Sequence, residues 1–191
     1  MTDEQIVKSL QDILDKIHNV DTGIFQNLGL AEKQELEHKL AISHDTTIRD
    51  IRFTLSGQEI FEQKLGDLIS CTGMTKVFLY AAKNSELDLK AVITTEKECL
   101  NNGFSNKGHV VPAVKLSDGQ YHIFEPRARN AMGVNFQKML SQSAAVGNNV
   151  FHILNSIKDK PYEIIDIITA EQLEKIKTMD DIIERSRRKK S

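Results

Sequence analysis

The sequence predicts an α+β fold, in which an antiparallel sheet packs against a helix that begins near Cys71 and extra helices lie at both ends of the chain. Residues 71–84 contain no proline and carry apolar side chains at helical spacing. Three segments downstream are rich in β-branched residues or alternate in a strand-like way: 89–95, 109–116 and 121–127. Asp118-Gly119 between the last two is typical of a tight hairpin, so these strands should be antiparallel neighbours.

Residues 1–44 form a predicted N-terminal helical region. Its first helix follows from apolar residues that recur three and four apart and therefore share one face: Ile6, Leu10, Ile13, Leu14 and Ile17. Thr2 and Gln5 have the spacing of a capping box. A second helix is predicted over about 31–42.

The predicted core covers residues 45–170. Asp45, Thr46 and Thr47 can cap a short element that carries Ile48 and Ile51. Gly57 then restarts the chain before a helix with three apolar residues at helical spacing, Ile60, Phe61 and Leu65. Gly66-Asp67 should end that helix.

The second half of the chain gives a less regular pattern. We predict a helix at 134–145, a strand at 162–169 and a short helix capped by Thr169 and Gln172, whereas Val150 to Ile157 could be helix or strand. Residues 171–191 make a predicted C-terminal helix and basic tail, helical over about 179–190. Because no linker is visible, we expect residues 1–191 to form a single domain.

The composition is that of an ordinary globular chain, with 191 residues, 40% hydrophobic and 27% charged. The 25 Lys and Arg nearly balance the 27 Asp and Glu, so no global field favours nucleic acid or anionic lipid. A basic cluster closes the chain: Arg185, Arg187, Arg188, Lys189 and Lys190. We interpret this cluster as a solvated helix end, and a docking element is the alternative. We expect no specific nucleic-acid partner.

Cys71 and Cys99, the two cysteines of the sequence, are too few for a disulfide framework and lack the paired spacing of a structural zinc site. The acidic, amphipathic N-terminus has no secretory-signal pattern, and no apolar run is long enough to span a membrane. We therefore expect a cytoplasmic protein with no membrane partner, although secretion without a classical signal stays open. The sequence leaves the oligomeric state open.

Cys71 is the first candidate for chemistry, because a thiol at a helix start lies in the partial positive charge of the helix N-terminus. Free backbone amides there can also donate to the oxyanion of a tetrahedral intermediate. His109 opens a predicted strand 38 positions later (109 minus 71), and Glu125 lies near the end of the next strand. A two-residue turn at Asp118-Gly119 gives paired positions that sum to about 237, which leaves Glu125 three residues from the position opposite His109.

The passages GDLISCTGMTKVFLYAAKN, GHVVPAVKL and GQYHIFEPR resemble the transglutaminase-like superfamily of papain-type enzymes over roughly residues 57–127, about a third of the chain. In that family the cysteine is the nucleophile, the histidine the base and the acid before proline the third member. The resemblance therefore implies these roles for Cys71, His109 and Glu125. The family's usual aspartate is replaced by glutamate, and Val110 stands where an aromatic residue often follows the histidine.

The resemblance implies acyl transfer on an amide bond of a protein or peptide substrate, through a thioester that water or an amine resolves. The paired zinc cysteines of peptide N-glycanases are absent from the sequence, and no calcium apparatus like that of animal transglutaminases is visible, so we expect neither metal nor cofactor.

Several alternatives stay open on the sequence: Cys71 as an ordinary buried thiol, Cys99 as the nucleophile and His122 as the base. The alternative for Glu125 is a strand-end residue paired with Arg127 or Arg129. Gln63, a polar residue upstream of Cys71, suits an oxyanion donor of papain-like sites and equally an exposed helix face. A catalytically inactive domain that binds a peptide or protein is the alternative function.

Overall fold

The computed structural model describes residues 1–21, 28–66, 70–96, 109–124, 126 and 162–190, and within them it is a mixed α+β structure with one four-stranded antiparallel sheet. The helices are α1 (Asp3–Asp21), α2 (Leu30–Ser43), α3 (Ile51–Thr54), α4 (Gly57–Gln63), α5 (Cys71–Ala81), α6 (Ala170–Glu174) and α7 (Met179–Lys190). The strands are β1 (Leu89–Glu96), β2 (His109–Lys115), β3 (Tyr121–Ile123) and β4 (Tyr162–Ile168). The predicted α+β class is confirmed.

The sheet has the strand order β3-β2-β1-β4. β1 pairs along its length with β2, from Leu89 opposite Val114 to Thr94 opposite His109. On its other side β1 pairs with β4, with an irregularity between Ile93 and Thr94. The start of β2 therefore lies beside the end of β1, and this places His109 at one end of the sheet.

The β2–β3 hairpin has a different turn from the predicted one. Gly119 N–H donates to Leu116 O, and Leu116 N–H donates to Gln120 O, so the loop contains three residues instead of two. Gly119 has a φ of +76°, the left-handed conformation that closes such a loop after a tight turn. Paired positions accordingly sum to 236, as in Ala113 opposite Ile123, and the predicted sum of 237 was wrong by one.

α5 lies at the centre of the molecule. All eight residues from Thr72 to Leu79 are buried, because α5 packs on β2 and β1 and is covered by α1, α4 and α6. Its Phe78 ring meets the Phe124 ring edge-on, with centroids 4.9 Å apart. The helix begins at Cys71 as predicted but ends at Ala81, three residues before the predicted end.

α1 forms as predicted, with its five apolar residues buried in the main core. The Thr2–Gln5 capping box is present: Thr2 N–H donates to Gln5 Oε1 at 2.8 Å, and Gln5 N–H donates to Thr2 Oγ1 at 3.3 Å. The carboxylate of Asp3 also accepts hydrogen bonds from the N–H and the hydroxyl of Ser117. The start of α1 is thereby joined to the β2–β3 loop.

Two predictions need correction, and two others fall on residues that the structure does not describe. α4 ends before Gly66, because Lys64 takes the left-handed conformation (φ 54°, ψ 49°) and terminates the helix. Of the short element after α2, Ile51 is buried and begins α3, whereas Ile48 is exposed. The predictions for 134–145 and for Val150 to Ile157 lie outside the described residues.

The C-terminal elements agree with the prediction. Thr169 and Gln172 form the capping box of α6, and α7 runs from Met179 to Lys190. Arg185 of the basic cluster pairs with Asp166 of β4 at 2.8 Å. No helix in the described ranges combines the length and the apolar character needed to cross a membrane.

Candidate active site at the start of helix α5

Cys71 is the first residue of α5, preceded by Ser70 in an extended conformation (φ −81°, ψ −178°). The Ser70 side chain makes no capping hydrogen bond. Cys71 itself is half-buried and packs against the main core. The thiol thus lies at a helix N-terminus, where the helix dipole favours the thiolate form of a cysteine.

The Cys71 sulfur contacts the backbone of β2. Val110 N–H donates to Sγ over 3.4 Å, which brings the sulfur beside the residue that follows His109. His109 is half-buried, and its carbonyl accepts a hydrogen bond from the hydroxyl of Thr94 at 3.2 Å. The structure therefore brings the predicted nucleophile and the backbone of the predicted base into one place.

The sulfur lies at the edge of the sheet. The Val110 side chain belongs to the main core on the α5 side, whereas Val111 belongs to a second cluster on the other face. Alternation assigns His109 to the Val111 face. Because strand N–H groups point along the plane of the sheet, the sulfur that accepts from Val110 lies beside the sheet edge, next to the first residue of the strand.

His122, the alternative base, lies elsewhere. His122 is buried, and its Nε2 lies 2.8 Å from Asp118 Oδ2. On the neighbouring strand β2, the residue opposite His122 is Val114. Val114 is four residues along β2 from Val110, a distance of about 13 Å. Hydrogen bonds from the Gln120 backbone and from His122 lower the pKa of Asp118, so the carboxylate is a fixed partner for this ring.

Of the remaining candidates, Gln63 is the one that lies within the described part of the chain. Gln63 is exposed at the last position of α4, which agrees with the surface interpretation. Glu125, Arg127, Arg129 and Cys99 lie outside the described residues.

One buried charge in α5 was missed by the sequence analysis. Lys76 has a fully buried side chain, and its Nζ donates to three carbonyls, those of Phe53 (2.6 Å), Leu55 (3.2 Å) and Ile176 (2.8 Å). Burial lowers the pKa of Lys76 to about 8, opposed by Glu174 at 3.9 Å. The apolar neighbours Val77 and Phe78 predict only that this part of α5 is internal, and no local signal indicates which side of it buries a charge.

Among the described residues, no group of three or more His, Cys, Asp or Glu side chains is arranged to hold a metal ion. Comparison of the chain with models of protein families, with curated proteins and with solved structures finds no match.

Proposed function

We propose that this chain is a cysteine-dependent acyl-transfer enzyme with a transglutaminase-like core, in which Cys71 is the nucleophile, His109 the base and Glu125 the residue that orients the imidazole. The observation that carries the proposal is the 3.4 Å hydrogen bond from Val110 N–H to Cys71 Sγ, next to His109. A hydrogen bond and a helix N-terminus both favour the charged form of a thiol.

Glu125 lies outside the described residues, so its inclusion rests on the resemblance to the transglutaminase-like superfamily, in which the acid before a proline is the third member of the triad.

In the proposed reaction the Cys71 thiolate attacks the carbonyl carbon of an amide, and the C–N bond breaks as His109 protonates the leaving amine. Backbone N–H groups at the start of α5 stabilise the oxyanion. If water then attacks the thioester, the enzyme is a hydrolase. If an amine attacks it, the enzyme is a transglutaminase or another acyltransferase. The substrate would be a protein or peptide.

The first test measures thiol reactivity. At pH 6 an ordinary thiol of pKa about 8.5 is almost fully protonated, so a poised Cys71 should react with iodoacetamide at least about tenfold faster than Cys99. Labelled peptides are quantified by mass spectrometry. His109→Ala should remove the advantage, whereas His122→Asn is the matched control, because His122 is engaged by Asp118. Equal rates for the two cysteines would contradict the proposal.

The second test separates an enzyme from an inactive binding module. An activated ester such as p-nitrophenyl acetate should release a burst of one p-nitrophenolate per chain as the acetyl group passes to Cys71. Cys71→Ala should abolish the burst. Fast alkylation without any burst would favour the binding module over the enzyme.

A further inference from the structure

The backbone N–H and the carbonyl of Val110 both form hydrogen bonds with side chains of α5. Its N–H donates to Cys71 Sγ at 3.4 Å, and its carbonyl accepts from the Thr75 hydroxyl at 3.0 Å. Thr75 is fully buried, and its hydroxyl also lies 2.9 Å from the Cys71 carbonyl. Two side chains four residues apart on one face of α5 thus hold one residue of β2.

The position of these bonds is explained by the end of the hairpin pairing. Two residues further along β2, Pro112 O accepts from Phe124 N–H on the β3 side. The backbone N–H and carbonyl of Val110 also point toward the β3 side, since backbone groups two residues apart in a strand point the same way. In this register the position opposite Val110 is 126, and Pro126 has no N–H to donate. The Thr75 hydroxyl supplies the donor that a strand would otherwise provide.

We propose that Thr75 is a positioning residue of the proposed active site, which fixes the first turn of α5 against Val110 and so sets the place of the Cys71 sulfur relative to His109. This inference rests on the proposed function. Without the hydroxyl, the buried Val110 carbonyl has no donor from α5 and the first turn can shift along β2. A shift of about 1 Å is enough to impair proton transfer between a thiol and an imidazole.

The test compares Thr75→Val with Thr72→Val. Valine keeps the branched shape of threonine and removes the hydroxyl. Thr72 is a matched control, because it is equally buried in the same helix and its hydroxyl makes no hydrogen bond with any described residue. The readout is the rate of Cys71 alkylation by iodoacetamide from pH 5 to 9, with folding checked by circular dichroism.

We expect Thr75→Val to slow alkylation at pH 6 roughly five- to tenfold, the effect of one lost buried hydrogen bond, and to move the midpoint of the pH profile toward 8.5. Thr72→Val should stay within about twofold of the wild type. Thr75→Ser, which restores the hydroxyl, should recover most of the rate. A role in stability alone would lower the unfolding temperature and leave the midpoint of the pH profile unchanged.

The outcomes distinguish the two proposals. Fast labelling of wild-type Cys71 with an unchanged profile in folded Thr75→Val overturns the positioning role alone. If wild-type Cys71 is labelled no faster than an ordinary thiol, the proposed function is overturned. If the pH profile of Thr75→Val is then also unchanged, the proposed function and the positioning role are both overturned. If Thr75→Val does not fold, Thr75→Ala replaces it, with the same slowing expected and the same unchanged profile counting against the role.

Discussion

At Gly57, α4 lies directly against the backbone of α5. A Cβ added there would lie 2.3 Å from the Lys76 carbonyl oxygen, far inside any normal contact, and this oxygen belongs to the backbone of a buried helix. Gly57 N–H also donates to Glu174 Oε1 at 2.8 Å. A side chain at position 57 therefore has to push α4 away from the central helix.

We predict that Gly57→Ala lowers the free energy of unfolding by about 1–3 kcal/mol, the usual cost of overpacking. Gly29→Ala is the matched control: the added Cβ would meet only Glu32 Oε2 at 3.6 Å, and a loss of ~0.5 kcal/mol is expected. Urea denaturation of the two variants measures the difference. A similar loss of unfolding free energy in both variants would show that the close approach of α4 to α5 does not determine the cost.

The contact between α2 and α4 is made by a histidine. His44 follows α2, and its Nδ1 lies 2.9 Å from Leu40 O while its Nε2 lies 2.6 Å from Glu59 Oε1. Both ring nitrogens face acceptors, so the charged imidazolium fits better than either neutral form. The hydrogen bond to Glu59 raises the pKa of His44 above 6.5, with partial burial opposing it.

A raised pKa means that the folded protein binds the proton more tightly than the unfolded chain does. The stabilisation is complete below pH 6.5 and is lost as the pH rises through the folded-state pKa. We predict that His44→Gln removes about 0.5–1 kcal/mol of stability at pH 6 and much less at pH 8.5, typical of a partly exposed pair. Thermal unfolding at the two pH values checks this. A loss that is equal at both would exclude His44 as the titrating group.

The β2–β3 hairpin illustrates what local sequence can and cannot predict. Asp118-Gly119 correctly predicts a tight turn, but the same pair occurs in two-residue and three-residue loops. In the structure, the left-handed conformation of Gly119 and the Leu116–Gln120 hydrogen bond define a three-residue loop. That one-residue difference changes which side chains of β2 and β3 share a face.

Across the whole molecule, carbonyls from two separated parts of the chain converge on the Lys76 ammonium. The carbonyls of Phe53 and Leu55 precede α5, and that of Ile176 follows α6. Removal of this side chain leaves buried carbonyls without donors and leaves Glu174 without its cationic neighbour. Lys76 thus contributes to cooperative folding more than to any single element.

The lowered pKa of Lys76 gives a prediction with a definite sign. Between pH 8 and 10 the unfolded chain keeps a proton that the folded protein releases, so the free energy of unfolding should rise with pH, with a slope of up to about 1.4 kcal/mol per unit. Lys76→Met should reduce this slope. Urea denaturation from pH 7.5 to 9.5 measures it.

The upper limit of pH 9.5 avoids Tyr121, whose pKa is raised to about 12 by burial and by its hydrogen bond to Asp88. A Lys76→Met variant that keeps the full wild-type slope would rule out this assignment.

The sequence predicts the elements of this molecule better than the contacts between them. α1 follows from its apolar spacing, and the start of α5 at Cys71 and that of β2 at His109 are where the pattern places them. The Val110–Cys71 hydrogen bond and the Lys76 site could not be predicted, because backbone carbonyls and N–H groups have no sequence signal.

The Lys76–Ile176 hydrogen bond also has a consequence for synthesis. Until residue 176 has left the ribosome, a nascent chain offers the ammonium group only the two acceptors that precede it. The helix that carries the thiol then holds an incompletely solvated charge, and its docking is disfavoured. If Cys71 is the nucleophile that we propose, its sulfur would become reactive only after translation of the C-terminal segment, and the growing polypeptide would not be exposed to it.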